Sequence, residues 1–279
     1  MSMSYWQGKR AVIIGGSSGL GRAIAGALAG RGARVALVAR GRKALDETVA
    51  HLAASSGEVA AIPADVTHAA DVERIAIAVQ KRWHGVDFVA HTVGRSMRGD
   101  AITTSPENFH ELWELNFLSA VRTAQAFVPQ LLASGGHIVL VGSLAGKCAP
   151  RFLGAYPASK FPLAAFAQQL RMELGPRGVH TLLVSPGPIA RDDAGERYSV
   201  EAAGLPEAAH RPGGGARLKA IPPDVLASQI LRACELRRPE LVVPAKTKLL
   251  FALAQLWPTL ADRILRKKTS GNGSRGEVP

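Results

Sequence analysis

A chain of 279 residues that is 47% apolar but only 5% aromatic suits one large α/β core of Ala, Val, Leu and Ile, as in parallel strands covered by helices, and disfavours a sandwich. Its formal charge of +12 admits nucleic acid, anionic lipid or a phosphorylated cofactor as partners until the charges are located. Cys148 and Cys234 stand far apart without a CxxC pair, which supports neither a disulfide framework nor a metal site and points to a reducing compartment.

In chain order, the opening MSMSYWQGKR lacks the apolar core of a secretory signal, and no run approaches the roughly 18 apolar residues of a membrane span. The expected location is cytoplasmic. Arg10 to Ile14 then forms a β-branched run ending in glycine, Leu20 to Ala29 has helical apolar spacing, and Ala33 to Ala39 is apolar again, which predicts a βαβ opening. The alternation continues with a helix over Arg42 to Ala54, a strand over Glu58 to Ile62, a helix over Ala69 to Trp83 and a strand over Val86 to His91. Long helices are predicted over Pro106 to Leu132 and Ala155 to Leu174, flanking a strand at His137 to Val141, with another strand at His180 to Val184. Such alternation implies an α/β fold of Rossmann type, a doubly wound parallel sheet of about seven strands with helices on both faces. Residues 192–223 break the rhythm with Gly, Pro and charge, the composition of a substrate lid. A helix at Asp224 to Leu236, a strand at Leu241 to Val243 and one amphipathic helix from Thr247 to Arg266 follow. The division expected is a dinucleotide-binding catalytic domain over 1–245, a helical extension over 246–268 and a disordered tail from Thr269.

Gly15, Gly19 and Gly21 lie between the first strand and first helix as GxxxGxG, with Ser17, Ser18 and Leu20 among them. Glycines there let the chain turn tightly, admit a pyrophosphate against bare backbone and aim helix N–H groups at it. At the end of the second strand an acid would bind a ribose 2′-hydroxyl, whereas a base accommodates a 2′-phosphate. Arg40 stands there, with Arg42 after it and no acid, so NADP (NADPH) is the expected cofactor. Asp65, with Val66 after it, follows the third strand and could accept from an adenine amino group.

Tyr156 and Lys160, four apart on a predicted helix, share one face. An ammonium beside a phenol favours phenolate and so equips the pair for proton transfer. Ser143 ends a strand, where sites of open parallel sheets form, and can hydrogen-bond a substrate oxygen.

With IGGSSGLG from Ile14 to Gly21, DV at Asp65, Asn116, Ser143, YPASK from Tyr156 to Lys160, and PG at Pro186 and Gly187, the chain resembles the short-chain dehydrogenase/reductase family, in its single-domain form, over roughly Lys9 to Val243. The resemblance implies that Tyr156 is the general acid or base, Ser143 orients the substrate oxygen, and Lys160 holds the nicotinamide ribose and tunes the tyrosine. It further implies that Asn116 interrupts its helix and completes a tetrad, with Gly94, Pro186, Gly187 and Ile189 beside the cofactor, a small carbonyl or alcohol substrate, and a homo-oligomer, here a dimer, paired through the two long helices. Three departures stand out: the family's NNAG segment is His91, Thr92, Val93, Gly94; Arg191 occupies the stretch after PG where threonine is usual; and Pro162 follows the lysine.

After the last predicted strand, LLFALAQLW from Leu249 to Trp257 is rimmed by Lys246, Lys248, Arg263, Arg266, Lys267 and Lys268. That pattern fits a helix packed on the protein's own core, an interfacial helix on anionic lipid, or a dimer contact. Together with LVAR at Leu37 to Arg40 it also loosely resembles the branch that reduces 3-ketodihydrosphingosine. A hydrophobic or lipid-like carbonyl is therefore the expected substrate, a 3-oxoacyl thioester an alternative, and a non-catalytic NADPH sensor the rival of another class. No stacking platform or recognition motif accompanies the basic residues, which argues against nucleic acid.

Overall fold

The computed structural model describes residues 4–55, 57–191, 198–211, 213, 215 and 218–269. Seven parallel strands form one sheet in the order β3-β2-β1-β4-β5-β6-β7: β1 (Arg10–Ile14), β2 (Arg34–Ala39), β3 (Val59–Pro63), β4 (Phe88–His91), β5 (His137–Val141), β6 (His180–Pro186) and β7 (Glu240–Val243). The order reverses between β1 and β4, and a crevice opens at such a switch point beyond the carboxyl ends of the strands.

Alternate strand residues face opposite layers. Ala11 and Ile13 pack with α1 (Gly19–Ala29), α2 (Arg42–Leu52) and α9 (Pro223–Glu235), through Ile24, Leu28, Leu45, Leu226 and Ile230. Val12 and Ile14 face the other layer, where α3 (Ala69–Trp83), α5 (Ser119–Ser134) and α7 (Pro162–Leu174) contribute Ile75, Phe127, Leu131, Leu163 and Leu170. Because both faces are covered, the strands read as continuous apolar runs rather than as alternation. Each fully buried Leu or Ile contributes about 1.5–3 kcal/mol relative to an exposed one, and these two layers fix the strand ends that carry the cleft.

Three predicted helices differ in detail. The first long helix is interrupted: α4 (Pro106–Trp113) passes through a π-helical turn at Glu114–Leu118 before α5 begins. The second divides at Phe161 into α6 (Tyr156–Lys160) and α7, because Pro162 has no N–H for the ladder. The C-terminal helix is two, α10 (Thr247–Leu256) and α11 (Pro258–Thr269). Pro258 cannot donate to the turn before it and instead starts a new helix. That helix carries Thr269, the residue from which the tail was expected to be disordered; residues 270–279 lie outside the described residues.

Of the expected lid, 192–197, 212, 214, 216 and 217 lie outside the described residues. Its base is closed by a parallel bridge between Ile189 and Ile221, with Ala190 N–H donating to Ile221 O at 2.8 Å and Ile221 N–H to Pro188 O at 2.8 Å. A short helix, α8 (Glu207–His210), lies within the insert.

Candidate active site

A cleft of about 1410 Å3 opens at the carboxyl ends of the strands. Drug-sized ligands occupy roughly 300–1,000 Å3, so it has room for a dinucleotide and a second molecule. Its wall includes Gly15, Ser17, Ser18, Gly19, Leu20, Gly21, Arg40, Asp65, Val66, Gly94, Ser143, Tyr156, Lys160, Pro186, Gly187 and Ile189. The candidates chosen from sequence therefore converge on one cavity, with Asn116 fully buried behind it.

The glycine turn owes its shape to close contacts. A Cβ at Gly21 would lie 2.1 Å from Gly15 O and 2.7 Å from Thr92 Oγ1, so α1 can lie against the end of β1 only with hydrogen at that position. Gly19 has φ +49° and opens toward the cleft, the nearest atom to a Cβ there being Arg191 Nη1 at 3.7 Å. Ser18 makes no side-chain cap and the first turn of α1 has no acid, which leaves helix N–H groups and a positive dipole end to face an anion. Bare backbone, uncapped donors and a nearby guanidinium together fit a pyrophosphate. Thr92, in place of an asparagine, braces this corner by donating to Ile14 O at 2.8 Å. His91 is buried, hydrogen-bonded to Thr123 and Ser119, and pushed down to about 3 by desolvation and then by Lys160.

Of the basic residues after β2, Arg42 pairs with Asp46 at 2.9 Å and Lys43 with Glu47 at 4.0 Å, each one helical turn along. Arg40 has only a long contact of 3.9 Å to Asp65 and is 78% exposed. Partial burial raises the Asp65 carboxyl, but Thr67 and Arg40 outweigh it and hold the group below the usual carboxylate range. Its Oδ1 accepts both the N–H and the hydroxyl of Thr67, at 3.0 and 2.7 Å.

Tyr156 begins α6 and lines the cleft, with Lys160 one turn on at its buried end. Lys160 Nζ donates to Val141 O at 3.1 Å, and burial lowers the ammonium to about 8. Pro162 therefore does not turn this side chain away from the cleft. Ser143 follows β5, where its Oγ accepts the Ala145 N–H at 3.1 Å; the hydroxyl hydrogen remains available to a ligand.

Asn116 sits in the π-helical turn, a rare element that recurs at functional sites. Its Oδ1 accepts the Arg95 N–H at 2.8 Å, and Nδ2 donates to Arg95 O at 2.9 Å and Ser159 Oγ at 2.8 Å. A Cβ on Gly94 would come within 2.8 Å of Asn116 Oδ1 and 2.9 Å of Lys160 Nζ. Asparagine, glycine and lysine thus fit together only as a set.

In the loop after β4, beyond the lining residues Arg95 and Ser96, stands a buried cation that no sequence motif marks. Arg98, 2% exposed, donates to Ala209 O at 2.7 Å and Arg211 O at 3.2 Å, and stacks 3.6 Å over the Tyr198 ring. Glu201 meanwhile accepts the Arg98 N–H at 3.0 Å. Arg98 thereby fastens the insert to the loop after β4. The C-terminal arm supplies Lys246, Thr247, Leu250 and Phe251 from α10 and its N-cap, and Leu265 and Lys267 from α11.

A family profile described as short chain dehydrogenase matches residues 9–200. The chain belongs to the short-chain dehydrogenase family. Ketoacyl reductase HetN of a Nostoc species is 28% identical, over 95% of this chain and 90% of its own length. Glycine betaine reductase ATRR of Emericella nidulans is 35% identical over 84% of this chain, but the match spans only 18% of that much longer protein. Among solved structures, a short-chain dehydrogenase from Streptomyces avermitilis superposes with a TM-score of 0.76 at 26% identity, covering 94% of this chain and 97% of that one. L-sorbose reductase from Gluconobacter frateurii, complexed with NADPH and L-sorbose, gives 0.76 at 25% identity, with 87% and 97% covered. This short-chain dehydrogenase is thus an oxidoreductase of an NAD(P)-binding family.

Proposed function

We propose that the protein is an NADP(H)-dependent oxidoreductase interconverting a ketone or aldehyde with an alcohol, on a hydrophobic, lipid-like substrate. One observation carries this reading: Tyr156 and Lys160 stand one helical turn apart on the wall of a cleft that also holds Ser143 and an uncapped glycine-lined helix start.

Tyr156 gives its phenolic proton to the carbonyl oxygen in reduction and takes it back in oxidation. Ser143, already accepting from Ala145 N–H, directs its own O–H at the same oxygen. Lys160, when protonated, favours the phenolate and donates to the nicotinamide ribose. Asn116 acts as a positioning residue, holding the Arg95 backbone and Ser159 in place. When bound, the nicotinamide cofactor supplies or accepts the hydride. The roles of Gly15 to Gly21 at the pyrophosphate and of Arg40 at a 2′-phosphate follow from the donors each presents, and the relative solved with NADPH supports the second.

The substrate end is walled by Leu144, Leu153, Leu218, Leu250, Phe251 and Leu265, with Lys246 and Lys267 among them. Apolar walls with a few cations suit a long-chain carbonyl bearing a polar or anionic end. A 3-oxoacyl thioester meets the same description, and the ketoacyl reductase among the relatives favours keeping it as the second reading. Pairing into a dimer through the two long helices is supported by Trp113, Phe161 and Met172, exposed on or beside them.

The test is a carbonyl panel of graded chain length followed by NADPH absorbance. Turnover rising with chain length is expected, with Tyr156→Phe lowering it at least about 100-fold while NADPH still binds. Full turnover by that variant would remove the assignment, and NADPH binding without oxidation by any carbonyl would favour the sensor.

A further inference from the structure

At the end of the sheet remote from the cleft, His137 and His180 begin the adjacent strands β5 and β6 and are direct partners in register. Six residues of extended chain separate His137 from Ser143, roughly 20 Å, so these side chains take no part in the chemistry above. Their Nδ1 atoms face each other at 2.9 Å. Cys234, near the end of α9, is fully buried, and its Sγ and two imidazole nitrogens all lie within 4.8 Å of one another.

The outer partners of the two rings decide what can lie between them. Nε2 of His180 is 2.8 Å from Arg238 O; a carbonyl only accepts, so that nitrogen carries the hydrogen and the neutral ring points a bare Nδ1 lone pair inward. Nε2 of His137 is 2.7 Å from the Tyr5 hydroxyl. That hydroxyl accepts as readily as it donates, so His137 can keep its hydrogen on Nε2 and also bare its Nδ1. Ligating histidines in proteins are held in this way, each giving its outer N–H to a carbonyl or other acceptor. Two imidazoles and a thiolate are a donor set for borderline and soft ions.

We propose that His137, His180 and Cys234 form a structural metal site for a thiophilic ion, zinc(II) or copper(I), which ties the starts of β5 and β6 to the end of α9. Zinc–nitrogen bonds of about 2.0–2.1 Å at a tetrahedral angle need the two nitrogens about 3.3 Å apart. The rings must separate by only a few tenths of an ångström from their present spacing. The ion displaces the thiol proton of Cys234, and the hydrogen that His137 holds on Nδ1 between the rings moves to its Nε2, where the Tyr5 hydroxyl turns to accept it. Burial, with Glu235 adding to it, pushes the Cys234 thiol well above its ordinary range and Arg237 only partly offsets this, so the thiolate forms through its bond to the ion. Trp6 closes the site, its indole donating to Glu235 at 2.8 Å and its ring lying 5.7 Å from that of His137. The ligands come from three distant elements, so no spacing along the chain signals them.

The full chain is purified, stripped with chelator under reducing conditions and titrated separately with Zn2+, Co2+ and Cu+. Expected are one ion per chain by elemental analysis, a thiolate-to-cobalt charge-transfer band in the near ultraviolet, and a rise in Tm of several degrees with Zn2+ or Cu+. Cys234→Ser and His180→Gln should lose the band and the Tm rise while retaining turnover at the distant cleft. Should His180→Gln fail to fold, Cys234→Ser carries the comparison alone. No stoichiometric uptake of any of the three ions, or a band and Tm rise that persist in Cys234→Ser, overturns the proposal.

Discussion

Arg40 and Lys160 show how single side chains set the chemistry. Arg42 and Lys43 are each partnered along α2, whereas Arg40 keeps only a 3.9 Å contact with Asp65. It is therefore the cation most able to turn to a phosphate. Arg40→Ala should raise KM for NADPH about 10-fold or more, the worth of a charge-assisted hydrogen bond or two, and change KM for NADH little; steady-state kinetics with both cofactors check this, and equal changes contradict it. Lys160 is lowered to about 8 by burial, against about 10.4 in an unfolded chain. Between these values the unfolded state binds more protons, so this residue makes stability rise as pH climbs from 8 to 10.4, with the full penalty present below 8. Lys160→Met should abolish turnover yet stabilise the fold at pH 7 by up to about 3 kcal/mol, and flatten that rise, as urea melts across the pH range would report. In the wild type, kcat/KM for NADPH should fall above pH 8 as the ammonium is lost.

At the scale of elements, the strands were legible because each is a short apolar run ending in glycine or a polar turn, and the helices because their apolar spacing persists over several turns. The π-helical turn at Glu114–Leu118 was not legible from periodicity, since one extra residue leaves the apolar spacing on either side intact. The break before Pro258 was visible as a proline, but the apolar spacing from Leu249 to Trp257, interrupted only by Gln255, concealed its consequence. The cleft residues could be chosen because glycines, Ser143, Tyr156 and Lys160 bear recognisable chemistry. Arg98 could not, because its partners Ala209 and Arg211 lie more than a hundred residues away. Its guanidinium satisfies backbone carbonyls of both the insert and its own loop, and Arg98→Met leaves them unpaired at a local cost of about 1–3 kcal/mol for each buried group. We expect a higher KM for the carbonyl with a smaller change in kcat, and faster protease cleavage within 198–211; unchanged cleavage would show that the insert is held elsewhere.

For the whole molecule, the charge matters where it meets apolar surface. The inner side of the C-terminal arm lines the cleft, while Leu249 and Trp257 are 79% and 61% exposed, close to Lys246, Lys248 and Arg263. No helix among the described residues is long and apolar enough to cross a membrane; an arm of this kind would lie in the headgroup layer. Co-sedimentation with anionic vesicles at low salt should retain the protein, and Trp257→Glu should weaken retention at least several-fold without affecting turnover of a short soluble ketone. Absence of sedimentation by the wild type would end the peripheral-membrane reading and leave the arm as a cleft wall alone.

The bridge between Ile189 and Ile221 works as a clasp. Because the intervening segment departs and rejoins at neighbouring points, its content can be exchanged without displacing β6 or α9, and the two isoleucines become natural joints for chimaeras. Transplanting a relative's segment between them would carry over that enzyme's selectivity onto an unaltered proton-transfer apparatus.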